Sequence, residues 1–168
     1  MRNRVKGMVV VFLGVALWWG APAFAVAQPV GNGAALGAGR TMKAVYDVNV
    51  GKAEKLSLYL RVIKQTVDDL AGQNLRHDFV VAFRGPAVRL ACTDRKLSDE
   101  SEHEALTQVA RQIAELHRLG VRFEACAIAT DLFGVDNNTL LPQVKAVGNT
   151  FVSLVGYQSQ GYALVPIL

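Results

Sequence analysis

The spacing of apolar positions changes several times along this chain, and each change marks an element. Residues 43–48 combine β-branched and aromatic side chains with few turn formers, which predicts a first strand, broken by Asn49, Val50 and Gly51. Leu56, Leu60, Ile63, Val67 and Leu70 then recur at intervals of three and four, the spacing that lays one apolar stripe along a helix, while Lys55, Arg61, Lys64 and Asp68 fall largely outside it. Gly72 ends that helix. A short run at 78–83, bounded by Arg84-Gly85-Pro86, predicts a strand buried on both faces. Residues 86–91 suit a short helix with Pro86 at its first position. Leu106, Val109, Ile113, Leu116 and Leu119 form the stripe of a second long helix. Ser98 and Ser101, with Asp99, Glu100, Glu102 and Glu104, supply capping oxygens and negative charge at its start, and Gly120 stops it. A third strand is expected over 121–128, followed by a helical turn capped by Thr130 or Asp131 and a turn at Asp136-Asn137-Asn138. Pro142 introduces a fourth strand at 143–147. Gly148-Asn149-Thr150 opens a helix carrying Phe151, Leu154 and Val155, Gly161 closes it, and 162–167 is the last strand.

Strands alternating with helices imply right-handed crossovers, a mainly parallel five-stranded sheet and helices on both of its faces. The fold class is therefore α/β, and a flavodoxin-like three-layer sandwich fits best. In such sheets ligands and reactive groups gather at the carboxyl ends of the strands, near a switch in strand order. That rule nominates the residues around Asn49, the Arg84-Gly85-Pro86 corner, the stretch from Cys126 to Asp131, Gly148-Asn149-Thr150 and the chain terminus.

The first residues follow a different pattern. Met8 to Trp19 is an almost unbroken apolar run preceded by Arg2, Arg4 and Lys6 and followed by Ala23-Phe24-Ala25-Val26-Ala27-Gln28, the order of a secretory signal peptide. The run is about 12 residues long, short of the roughly 20 that a membrane-spanning helix needs. The expected layout is a signal peptide over 1–27, a Gly- and Ala-rich flexible leader over 28–40 and a folded domain over 41–168, with the protein periplasmic or secreted. The whole chain carries 18 basic and 14 acidic residues, a net +4. Loss of Arg2, Arg4 and Lys6 leaves 15 basic against 14 acidic residues, so no basic surface points to nucleic acid, and no membrane partner is expected after cleavage. Apolar residues at 51% and charged residues at 19% place the chain with folded proteins rather than disordered ones.

Most chemistry-bearing motifs are absent. Gly31-Asn32-Gly33 precedes the first strand and lacks a third glycine, and Gly51-Lys52 has Ala53 where a phosphate loop needs Ser or Thr. His103-Glu104 is followed by Thr107 where a zinc-protease motif requires its second histidine. The stretch 156–161 is one residue too long for a serine-nucleophile elbow and reads as a helix end. His77, His103 and His117 read as surface residues. The sequence indicates neither a metal nor a cofactor.

Cys126 is the informative residue. It stands near the carboxyl end of the third expected strand, on the side shared with Arg122 and Glu124, where the N–H groups of a following helix can stabilise a thiolate. Position alone leaves three readings open: a reactive thiol, a small buried core residue, and one half of a disulfide or redox pair with Cys92.

Four segments in this order resemble a known family: Val45-Tyr46-Asp47-Val48 leading into a helix; Arg84-Gly85-Pro86-Ala87-Val88; Leu119-Gly120-Val121-Arg122-Phe123-Glu124-Ala125-Cys126; and Leu141-Pro142-Gln143-Val144 with Gly148, Gln158 and Gly161-Tyr162-Ala163. Together they are similar to the DsrE/DsrF-like (YchN-like) superfamily over 43–168. The resemblance implies a flavodoxin-like fold and homo-oligomers, commonly trimers or hexamers. It also implies a sulfur relay in which the cysteine matched by Cys126 accepts sulfur as a persulfide and passes it on, with a sulfur donor or acceptor protein as partner. Relatives often carry a basic residue where Phe133 precedes Gly134. Two functions follow for an exported protein of this kind. It is a persulfide carrier using Cys126, with Asn49, Arg84 and Asn149 as orienting groups, or it is a binding or scaffold protein in which Cys126 is structural.

Overall fold

The computed structural model describes residues 33–36 and 41–168. The expected signal peptide and most of the leader lie outside the described residues; within the leader, Gly33–Leu36 makes one turn of helix. The second of two compact units, Leu36–Leu168, holds the sheet. Its elements are β1 (Thr41–Val48), α1 (Ala53–Gly72), β2 (Arg76–Phe83), a 3-10 segment (Gly85–Ala91), α2 (His103–Arg118), β3 (Arg122–Cys126), α3 (Ala127–Leu132), β4 (Val144–Val147), α4 (Thr150–Ser159) and β5 (Ala163–Ile167).

All pairings in the five-stranded sheet are parallel, in the order β4-β3-β2-β1-β5. Alternation along the strands divides the core in two. Ala44, Tyr46 and Val48 of β1, Phe79, Val81 and Phe83 of β2, and Phe123 and Ala125 of β3 pack in one cluster with the stripes of α1 and α2. Val45, Val80 and Ala82 face the opposite way, onto Leu154 of α4 and Tyr162. The three-layer α/β sandwich expected from the sequence is the architecture observed. Its larger layer rests on the stripes Leu56, Leu60, Ile63, Val67, Leu70 and Leu106, Val109, Ile113, Leu116, all buried. Each contributes on the order of 2 kcal/mol by leaving water. Leu119, expected in the second stripe, is 41% exposed because α2 ends at Arg118. Gly120 then takes φ +96°, its N–H meets His117 O and that of Val121 meets Leu116 O, the paired closure that a residue with positive φ permits.

The start of α2 differs from expectation. Two 3-10 turns, Arg95–Leu97 and Glu100–Glu102, precede it, and the Ser98 hydroxyl donates to Arg95 O rather than capping the helix. The Glu102 carboxylate is buried and accepts from the N–H of Ala53, the first residue of α1. The acidic cluster thus caps the neighbouring helix across a separation of 49 residues.

The strand order positions the site. From β1 to β4 the chain steps outward across the sheet, then returns through α4 on the opposite face to place β5 beside β1. Leaving β3, the chain enters α3, whose Ala129 joins the larger cluster; leaving β4, it enters α4, whose Leu154 joins the smaller one. The connections that follow these two neighbouring strands diverge to opposite faces, and divergence of this kind opens a crevice at the carboxyl edge.

Candidate functional site

Cys126 ends β3 at that crevice. The third strand stops two residues earlier than the sequence pattern suggests: Ala127 begins α3, and Ile128, expected within the strand, is helical. Thr130 does not cap the turn either; its hydroxyl is engaged by Ala127 O and Asn137 Oδ1. The capping position of α3 is Cys126 itself, with extended backbone at φ −69° and ψ 116°. Ser, Thr, Asp or Asn at such a position accepts from the second or third N–H of the helix, and here the side chain is a thiol.

The second wall of the crevice is the start of α4. Asn149 caps this helix, its side chain accepting from Phe151 N–H at 2.9 Å. The N–H of Thr150, which has no intrahelical acceptor, is left for Cys126 Sγ at 3.5 Å. Thr150 is 1% exposed, and its hydroxyl makes no hydrogen bond of its own but favours the thiolate of the same sulfur. Burial alone would push the Cys126 thiol up. The Thr150 N–H and hydroxyl, reinforced over a longer range by the N–H groups of Ala129 and Ile128, outweigh burial and hold the thiol below its ordinary range. Cys126 is 7% exposed and lines an open pocket of about 270 Å³.

Arg84 and Gly85 reach the pocket from the end of β2. The Arg84 guanidinium makes a bidentate pair with the buried Asp47 of β1, Nε to Oδ1 at 2.6 Å and Nη2 to Oδ2 at 2.9 Å, and lies over the Phe151 ring at 5.8 Å from its centroid. A planar fork fixed in this way keeps its charge and holds its position. Gly85 has φ +52°, and a Cβ there would collide with the Asn49 side-chain oxygen. Asn49 therefore buttresses the Gly85 corner from behind and is not among the residues lining the pocket. Ile128, Leu132, Phe133 and Phe151 give the cavity its largely apolar wall, with the Arg89 guanidinium behind Phe133 at 5.5 Å from the ring centroid.

Of the residues singled out from the sequence, the pocket brings together Cys126, Arg84 and Asn149. Arg84 is already committed to Asp47, and Asn149 acts through the helix it caps. Cys92 is elsewhere, fully buried where the 3-10 segment ends, and both cysteines are free thiols. Its Sγ donates to Arg89 O at 3.3 Å and Asp94 O at 3.7 Å, and burial first of all pushes its thiol up. Thr150 and Ile128 fall within the nominated segments, but neither was given a role, and Leu132, Phe133 and Phe151 were not nominated, because their place at the site depends on the strand order. Among the described residues no group of His, Cys, Asp and Glu side chains is arranged to hold a metal ion. No helix among them is long and apolar enough to cross a membrane.

Comparison with known proteins agrees with this architecture. A protein of Aquifex aeolicus (strain VF5), itself uncharacterized, is 29% identical over 126 residues, which cover 74% of this chain; the chain spans 56% of that relative's length. Among solved structures, MTH1491 from Methanobacterium thermoautotrophicum superposes with a TM-score of 0.60 at 21% identity, covering 74% of this chain and 98% of that one. The ychN protein from E. coli gives 0.55 at 19% identity, with the same coverage. At these identities the likeness shows the fold. The sequence pattern of the DsrE/DsrF-like family matches residues 42–167, three quarters of the chain, and the chain belongs to that family.

Proposed function

We propose that this protein is an exported sulfur carrier in which Cys126 takes up sulfane sulfur as a persulfide and yields it to a partner thiol. The observation that carries the reading is the setting of Cys126: it lines an open pocket, with the N–H of Thr150 directed at its sulfur and its thiol held below the ordinary range. A thiolate is the nucleophile in such exchange, and it needs stabilisation without complete burial. The thiolate attacks the outer sulfur of a donor R–S–SH. A new S–S bond forms between Cys126 Sγ and that sulfur, the donor's own S–S bond breaks, and R–S⁻ leaves with the electron pair and takes a proton from solvent. Delivery to an acceptor thiolate is the same exchange onward, with no net oxidation. Asn149 holds the N–H geometry of α4, while Arg84, held by Asp47, shapes the mouth of the pocket.

The carrier reading includes a homo-oligomer. Val152 and Val155 on the outer side of α4, and Leu164 and Val165 on the edge strand β5, are all exposed apolar side chains. Such a surface on one chain is the kind that self-association buries. Light scattering is expected to find an assembly larger than the monomer at micromolar concentration, and a monomer alone would remove this part of the proposal. Export is tested by intact mass after expression in a host with a working secretion system, with cleavage expected after Ala25 or Ala27.

The decisive experiment is persulfide loading followed by mass spectrometry. Treatment with polysulfide is expected to add sulfur to the wild type and to Cys92→Ser, and to leave Cys126→Ser unmodified. Equal loading of Cys126→Ser and wild type would refute the assignment. An inert Cys126 in a well-folded protein would favour a binding or scaffold role instead.

A further inference from the structure

The lining of the Cys126 pocket bears on which sulfur donors it accepts. Ile128, Leu132, Phe133 and Phe151 form its wall, and the one charged side chain among the lining residues, Arg84, has its fork occupied by Asp47 and its face against Phe151. An incoming anion meets a guanidinium whose charge is already balanced, and it must displace water from an apolar surface to reach the sulfur. At about 270 Å³ the cavity is at the small end of ligand pockets, with room for a ring or a short chain beside the reacting sulfur and too little for a nucleotide-sized carrier. Beside Sγ the lining offers the Thr150 N–H and the buried Thr150 hydroxyl, enough to receive a transferred sulfur atom and too little to solvate a sulfonate.

We infer that the pocket selects its donor by polarity, accepting sulfur from a small persulfide whose carrier group R is apolar and discriminating against thiosulfate and zwitterionic persulfides. This rests on the persulfide reading of Cys126. With R apolar, the R group lies against Leu132 and Phe151 while its outer sulfur meets Sγ, and the R–S⁻ that leaves takes its proton at the open mouth. With thiosulfate, the same attack would release sulfite, a dianion for which the lining provides no free cation.

The test compares normalised loading rates at Cys126 for benzyl hydropersulfide, cysteine hydropersulfide and thiosulfate. Each rate is divided by that of a small free thiol with the same donor, which removes differences in intrinsic reactivity. The benzyl compound is expected to exceed the cysteine compound by about tenfold, the worth of placing a small apolar group in an apolar site, with thiosulfate slowest. Leu132 is 77% exposed, so Leu132→Glu leaves the core untouched and is expected to bring the benzyl advantage close to one. Loading of Cys126 at equal normalised rates by all three donors, or an undiminished benzyl preference in Leu132→Glu, overturns the selectivity and leaves the carrier reading standing. Failure of every donor to load Cys126 overturns both.

Discussion

Cys92 and Cys126 are buried thiols on the same layer of one small domain, yet the backbone presents opposite poles to them. Cys92 ends the 3-10 segment and donates to the carbonyls of Arg89 and Asp94, so its environment is one of acceptors suited to a protonated thiol. Cys126 begins α3 and accepts from Thr150, so its environment is one of donors suited to a thiolate. Burial disfavours charge at both sites; at Cys92 it prevails, with the Asp94 carboxylate adding to it, and at Cys126 the surrounding donors outweigh it. Reactivity here turns on whether nearby donors outweigh burial, and on access to the sulfur.

The largest expected consequence is in alkylation. Iodoacetamide at pH 7 is expected to label Cys126 at least about a hundredfold faster than Cys92, whose reaction has to wait for local or global opening. The same contrast predicts opposite signs in the pH dependence of stability. For Cys126, whose folded thiol is held low, the unfolded chain carries the extra proton between the two pKa values, so stability rises with pH through that window and is lost as pH falls through the folded value. For Cys92, whose folded thiol is pushed up, the folded chain keeps the proton longer, so stability falls as pH rises beyond about 8.5. Denaturant midpoints measured against pH in Cys92→Ser isolate the first trend and those in Cys126→Ser the second; the same sign in both would break the comparison.

Next in size is the cost of removing the structural thiol. Cys92→Ala empties a fully buried site beside the bridge between Cys92 and Leu140, and is expected to lower stability by about 2 kcal/mol while leaving loading at Cys126 intact. A large loss of loading without loss of stability would make Cys92 a participant and not a core residue.

Much of this arrangement was legible in the sequence and some was not, for a physical reason in each case. The stripes of α1 and α2 are periodic over several turns, so burial of Leu56 to Leu70 and of Leu106 to Leu116 could be read directly. Ile128 misled because a β-branched residue after a strand reads as more strand, although the chain has to turn at the crevice and Ala127 and Ala129 suit a first helical turn. Glu102 misled because capping signals are read locally, and its carboxylate caps a helix 49 residues away. At the site, the carboxyl-end rule found Cys126, Arg84 and Asn149 without a strand order. The same rule named Thr150, but its role needed a strand order, since its N–H meets Cys126 only because β4 pairs with β3 at Cys126 and Val147.

Asn149 sharpens the comparison at lower amplitude. Asn149→Ala removes the cap of α4 and is expected to cost about 1 kcal/mol of stability. It also loosens the first turn that aims the Thr150 N–H, so the alkylation rate of Cys126 at pH 7 falls modestly while that of Cys92 holds. Measuring both rates on one sample separates this from general loosening of the fold, which would expose Cys92 and raise its rate instead.

The smallest effect isolates the side-chain part of the donor field. Thr150→Val keeps the shape of a 1% exposed residue and the N–H that meets Sγ, and removes only the hydroxyl facing the sulfur. Because that hydroxyl has no oxygen or nitrogen partner, its loss leaves no other group unsatisfied, and stability is expected to stay within about 0.5 kcal/mol of wild type or to rise slightly. The thiol is expected to move upward, part of the way back, since the N–H contribution remains. The midpoint of the pH–alkylation curve therefore shifts to higher pH, and the rate at pH 7 falls a few-fold. Thr150→Ser, which retains a hydroxyl, is expected to restore the midpoint. A midpoint unchanged in Thr150→Val would assign the stabilisation of the Cys126 thiolate to backbone N–H groups alone.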